Sequence, residues 1–102
     1  MPKLSLVDSL FNALGDPTRV AIAQELAERD SQSLFELCTR LLSSRGLSMS
    51  RQAIAKHLAV MRDAGLVEVS TVGRTTVHSL RRDALGQGAA WLSALANQEE
   101  SP

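Results

Sequence analysis

Apolar side chains recur with a helical period in five stretches of the chain and alternate with polar ones in two. Leu6, Val7, Leu10, Phe11 and Leu14 return at three- and four-residue intervals and predict a helix over Leu4–Leu14. Gly15 is suited to ending it in the left-handed conformation. Asp16-Pro17 opens a second helix, because the aspartate can accept from free first-turn amides and proline there loses no hydrogen bond. Val20, Ile22, Ala23, Leu26 and Ala27 form its stripe, and Asp30-Ser31-Gln32-Ser33 is a polar break. A third helix over Leu34–Leu42 places Leu34, Leu37, Cys38 and Leu41 on one face, followed by a turn-rich link at Ser43–Gly46. Ser48 or Ser50 caps a fourth helix that continues to Ala64, and Gly65 suits its end with Leu66 folding back. Beyond Gly65 the period becomes alternating. Leu66–Val72 and Arg74–Leu80, rich in β-branched residues and flanking Gly73, predict a two-stranded hairpin with Arg74 at its tip. A last helix over Asp83–Asn97 carries Leu85, Ala89, Trp91, Leu92 and Leu95, weakened at its start by Gly86 and Gly88, and residues 98–102 read as a frayed tail.

The 102 residues suffice for one domain with a modest core, and 44% hydrophobic against 22% charged residues excludes a disordered chain. No apolar run is long enough to span a bilayer, and no basic segment followed by an apolar one predicts a secreted leader. Cys38, the single cysteine, fits a reducing cytoplasm. Only Phe11, Phe35 and Trp91 are aromatic, too few for a single-strand stacking platform. Net charge is zero, but residues 1–44 carry four basic side chains against six acidic ones. Residues 45–82 carry seven (Arg45, Arg51, Lys56, Arg62, Arg74, Arg81, Arg82) against Asp63 and Glu68. A polyanion would meet that segment, although a solvated basic face is the plainer reading of charge alone.

Helix, turn, helix and hairpin in this order predict a winged helix-turn-helix: mainly α, about five helices with a small antiparallel β-hairpin as the wing. Ile54, Leu58 and Met61 turn the fourth helix to the core. Arg51, Gln52, Ala55, Lys56, Ala59 and Arg62 then face away from it. Glutamine can read adenine and arginine guanine through paired hydrogen bonds, with small alanines permitting close approach. Lys56 and Arg62 are placed as phosphate contacts. The apolar faces of the first and last helices (Leu6, Leu10, Phe11; Leu85, Trp91, Leu92, Leu95) exceed what one chain needs to cover. Pairing them across a two-fold would set two recognition helices about 34–36 Å apart, one turn of duplex. Trp91 reads equally well as an ordinary core residue.

The segments Leu10–Glu28 (LFNALGDPTRVAIAQELAE), Ser50–Val69 (SRQAIAKHLAVMRDAGLVEV) and Gly73–Leu80 (GRTTVHSL) resemble the ArsR-type family of winged-helix repressors, over roughly residues 5–95. The resemblance implies a homodimer, paired through its first and last helices, that binds a double-stranded operator and blocks transcription. In many members a metal or other inducer releases the DNA. It places the DNA-reading stretch on Ser50, Arg51, Gln52, Ala53, Ala55, Lys56 and His57, and the wing contact on Arg74 with Thr75. His57 resembles a family histidine near the DNA backbone, or else packs partly buried beside Leu58. Arg19 matches the helix-opening motif, where a structural salt bridge or cap is implied. Gln52 stands where the family often has proline.

Metal sensors of this family use paired cysteines in the third helix or Asp, His and Glu in the last; this chain has Cys38 alone and no histidine in its last helix. Cys38, His57 and His78 fall on three elements, so no metal site or other cofactor is expected within one chain, although one assembled across a dimer stays open. Cys38 on an apolar stripe reads as a buried, inert thiol. No nucleophile set and no glycine-rich phosphate loop is present, so an enzyme is not expected. The alternatives are a metal- or redox-gated sensor of the same fold, and a winged-helix protein-interaction module without DNA binding. No residue names an inducer.

Overall fold

A computed structural model describes residues 6–98. The elements run α1 (Leu6–Leu14), α2 (Pro17–Glu28), α3 (Leu34–Arg45), α4 (Arg51–Asp63), β1 (Val67–Val72), β2 (Thr75–Leu80) and α5 (Arg82–Ala96). This is the mainly α winged-helix architecture that the periodicity predicts. The proposed start of the first helix at Leu4 and the end of the tail lie outside the described residues.

Local chemistry sets the boundaries. Asp16 Oδ1 accepts from the amides of Thr18 (2.8 Å) and Arg19 (3.2 Å), and Pro17 opens α2 behind it. Ser33 and Glu36 exchange side-chain-to-backbone bonds in a capping box at the start of α3. That helix runs past the expected Leu42 to Arg45, because Gly46 at φ 63° is the left-handed residue that closes it. The residues read as a link, Ser43–Arg45, are its last turn. Gly15 departs from expectation in the other direction: it does not take a positive φ. The end of α1 is instead tied by Arg19, whose guanidinium donates to the carbonyls of Ala13 and Asn12.

Leu10, Ala13, Ile22, Leu26, Leu37, Leu41, Ile54, Leu58, Met61 and Leu66 make one core shared by α1 to α4, with Val67 and Leu80 sealing it from the hairpin. Glu25 is fully buried in α2, where Arg40 (3.0 Å) and Arg45 (3.1 Å) of α3 each hold one carboxylate oxygen. Arg45 also reaches Glu28 and Gln24. The polar break before α3 is structural too. Gln32, with 0% exposure, pairs its backbone in both directions with His78, adding one rung to the hairpin. Its amide nitrogen donates to the carbonyls of Arg29 and Glu25. Asp30 accepts from the Leu80 amide at 3.1 Å. Two residues of apparent loop, Asp30 and Gln32, thus fasten the wing to the helices.

The last helix lies along α1. Gly88 lets the two helices approach closely, since a Cβ at that position would collide with Leu10 Cδ2 unless that side chain shifted. The rings of Phe11 and Trp91 meet at 5.6 Å between centroids, tilted by 53°. Beyond Gly88 every described residue of α5 is exposed.

Candidate nucleic-acid interface

Helix α4 is built to present one side. Ile54, Leu58 and Met61 anchor it in the core, and Ser50 Oγ caps its start by accepting from the Ala53 amide at 3.1 Å. Arg51, Gln52, Ala55 and Lys56 are exposed over the first turns, whereas Ala53 is half-buried on the flank. Among the described residues neither Arg51 nor Lys56 has a carboxylate partner. Arg62, at the far end, reaches Asp63 at 3.5 Å. The wing extends β1 against β2 from Val67↔Leu80 to Val72↔Thr75, and Gly73 at φ 62° makes the turn possible. Arg74 and Thr75 are exposed at that tip.

The basic surplus read from the sequence is smaller on the folded surface. Arg45 is bound to Glu25 and Glu28. Arg81 makes a two-pronged pair with Asp83, which raises the arginine's pKa and lowers the carboxyl's. Arg82 donates to the Ala27 carbonyl. Within residues 45–82 the cations with no carboxylate partner among the described residues are Arg51, Lys56, Arg74 and Arg82, with Arg62 beside its own Asp63. Arg51, Lys56, Arg62 and Arg74 lie on α4 and the wing.

Two contacts escaped the sequence. Phe35 of α3 is 65% exposed, and the Arg51 guanidinium lies over its ring at 5.9 Å. Its absence from the apolar face of α3 was the available signal. His57 faces α2 rather than packing only against Leu58: its Nδ1 lies 3.3 Å from Arg19 Nη1. Thirty-eight residues separate that pair, so spacing could not show it. The cap role implied for Arg19 is present, directed to the α1 carbonyls rather than to a salt bridge.

His78 lies on the inner side of the wing, lining a small cavity of about 100 Å³ with Leu34, Leu58 and Val69. Burial holds its pKa below the ordinary imidazole value, and Arg62 pushes the same way. Asp16 is likewise held low, chiefly by the Arg19 amide it accepts from. Cys38 is half-buried and lines a groove of about 250 Å³ with Phe35, Leu42, Leu47 and Met49. Among the described residues no three His, Cys, Asp or Glu side chains are grouped to hold a metal ion. No described helix is long and apolar enough to cross a membrane.

On α1 and α5, Leu6, Trp91, Leu92 and Leu95 are 44–54% exposed. Leu10 requires a correction. Expected at a partner-facing surface, it is 2% exposed, because α5 crosses α1 at Gly88 and covers it with the chain's own backbone. Phe11 is half-buried by Trp91, and Leu85 packs half-buried against the core.

A three-helix core carrying a cationic helix and a basic-tipped hairpin defines a winged helix-turn-helix DNA-binding protein. A helix-turn-helix domain family matches residues 14–70. The chain is 51% identical over 70 residues to the uncharacterized HTH-type transcriptional regulator YuzN of Bacillus subtilis, spanning 69% of this chain and 76% of that one. It is 36% identical over 58 residues to the arsenical resistance operon repressor of Escherichia coli, spanning 57% of this chain and 44% of that protein. The solved ArsR-like transcriptional regulator from Rhodococcus sp. RHA1 superposes with a TM-score of 0.76 at 38% identity, over 89% of this chain and 79% of that one. The chain belongs to the ArsR-like family of winged-helix transcriptional regulators. Its relatives are regulators of transcription, not enzymes.

Proposed function

We propose that this chain is a homodimeric, sequence-specific repressor that occupies a double-stranded operator in the cytoplasm. The observation that carries this reading is the face of α4: Arg51, Gln52 and Lys56 stand exposed with no ion pair among the described residues, around the small Ala55. Such a face can meet an external polyanion, and its amide and guanidinium groups suit base edges. Arg74 and Thr75 at the wing tip add backbone contacts, Arg62 a weaker one, and Ser50 can still donate its hydroxyl proton to a phosphate.

Dimerisation rests on Leu6, Trp91, Leu92 and Leu95, too much exposed apolar side chain on two adjacent helices for a lone soluble protomer. Leu10 supports that surface from beneath, with Phe11 and Leu85 at its edge. Repression is supported by the Escherichia coli relative, an operon repressor. Because the matched family span stops at Ser70, it takes in α4 but neither the wing tip nor α5.

The test is titration of purified protein onto random duplex at low salt, then selection of tight sites from a random pool, with sedimentation for mass. The expected result is a dimer whose affinity falls steeply with salt and which selects a palindrome with half-sites one helical turn apart. A chain that ignores duplex DNA at low salt is not a DNA-binding repressor, and the protein-docking module becomes the better reading.

A further inference from the structure

Arg19 gathers three acceptors from two separate elements. Its Nε donates to the Ala13 carbonyl and Nη2 to the Asn12 carbonyl, both in the last turn of α1. Nη1 lies 3.3 Å from Nδ1 of His57 on α4. A guanidinium has donors only, so Nδ1 must be the acceptor and carry no proton. The single proton of the neutral imidazole is then on Nε2, which has no protein partner among the described residues. The base of this arrangement is rigid. Asp16 binds the amides of Thr18 and Arg19 itself, fixing the backbone from which the guanidinium projects.

We propose that Arg19 is a positioning residue for the DNA contact. From α2 it holds the His57 ring in the tautomer and orientation that offer Nε2–H to a backbone phosphate next to Lys56. This rests on the reading of α4 as the duplex-facing helix. Arg19 touches no DNA in this scheme; it acts through His57. The same guanidinium joins the end of α1 to the flank of α4, so the two helices cannot shift relative to each other without breaking one of its bonds.

A double-mutant cycle on duplex affinity tests this, using Arg19→Met, His57→Ala and the pair in the full chain. Each single change should weaken binding about two- to tenfold, the loss of one modest hydrogen bond. The double variant should bind no more weakly than the worse single one. Losses that multiply, or an Arg19→Met protein with unchanged affinity, overturn the proposal, since a purely structural cap would act independently of residue 57. A second measurement needs neither DNA nor a folded Arg19 variant. Ring ¹⁵N spectra of the wild-type protein at about pH 8.5, two units above the ordinary imidazole pKa, should show His57 Nδ1 unprotonated and hydrogen-bonded. A proton on Nδ1, or a ring whose two tautomers exchange as in free histidine, refutes the positioning role. If the wild type fails to bind any duplex, the repressor reading falls, while these spectra still decide whether Arg19 holds the imidazole.

Discussion

Charges that look alike in the sequence have different energetic roles once folded. Glu25 has 0% side-chain exposure and two arginine partners that are 25–30% exposed. Removing the arginines strands a buried carboxylate, whereas neutralising the glutamate leaves two cations that water can still reach. Arg40→Met with Arg45→Met should therefore cost about 3 kcal/mol or more, and Glu25→Gln only about 1–2 kcal/mol, by urea unfolding. The reverse order would show that the network is not what holds α2 to α3. His78 supplies a pH dependence. Its folded pKa lies below the ordinary value, and its buried Nδ1 faces no acceptor among the described residues. The unfolded chain thus takes up the proton first as pH falls. Stability should decline from about pH 7 towards pH 5 and level off below the folded-state value. His78→Gln should flatten that slope, and an unchanged slope would assign it to other groups. The sequence showed neither the buried charge of Glu25 nor the lowered pKa of His78, because both owe these properties to what surrounds them.

At the scale of elements, amphipathic period and capping chemistry placed all five helices and both strands. The end of α3 was missed at a local glycine cap, Gly46, and a boundary can also turn on a side chain from a different element. The end of α1 is an instance: Gly15 has the residue type for a left-handed cap, but Arg19 satisfies the carbonyls and the turn stays at negative φ. The two glycines of α5 show the same division. Both weaken a helix on propensity alone, yet a Cβ meets nothing within 4 Å at Gly86 and collides with Leu10 at Gly88. Gly86→Ala should accordingly stabilise the protein by about 0.5–1 kcal/mol. Gly88→Ala should lose that gain to overpacking of about 1–3 kcal/mol. Thermal unfolding of the two variants checks the contrast, and equal gains would mean that α5 does not sit on α1 as described.

For the whole molecule, the two functions proposed rest on different elements, α4 with the wing and α5 with α1, and should separate. Leu92→Glu with Leu95→Glu, on side chains about half exposed, should leave the protomer folded but monomeric by sedimentation and weaken operator binding through loss of the second half-site. A dimer that survives both charges would place the interface elsewhere. On α4, Arg51→Ala or Gln52→Ala should relax base preference by about 1–3 kcal/mol per lost paired contact. Lys56→Ala or Arg74→Ala should weaken all duplexes alike and reduce the salt slope by about one each. Uniform losses from all four would mean that the helix positions the protein without reading sequence.

Period, caps and turn residues act within a few positions of one another, so the sequence alone determined the element order, the winged-helix class and the outward face of α4. The partition of the arginines was decided only in three dimensions. Arg45 goes to Glu25, Arg81 to Asp83, Arg19 to α1 and His57, and Arg51, Lys56 and Arg74 stay available to solvent. A long cationic side chain pairs with whatever the fold brings within a few ångströms, and no spacing along the chain encodes that neighbour. The same holds for Leu10 and Leu92, equally apolar in sequence, of which one is covered by α5 and the other is left at the surface.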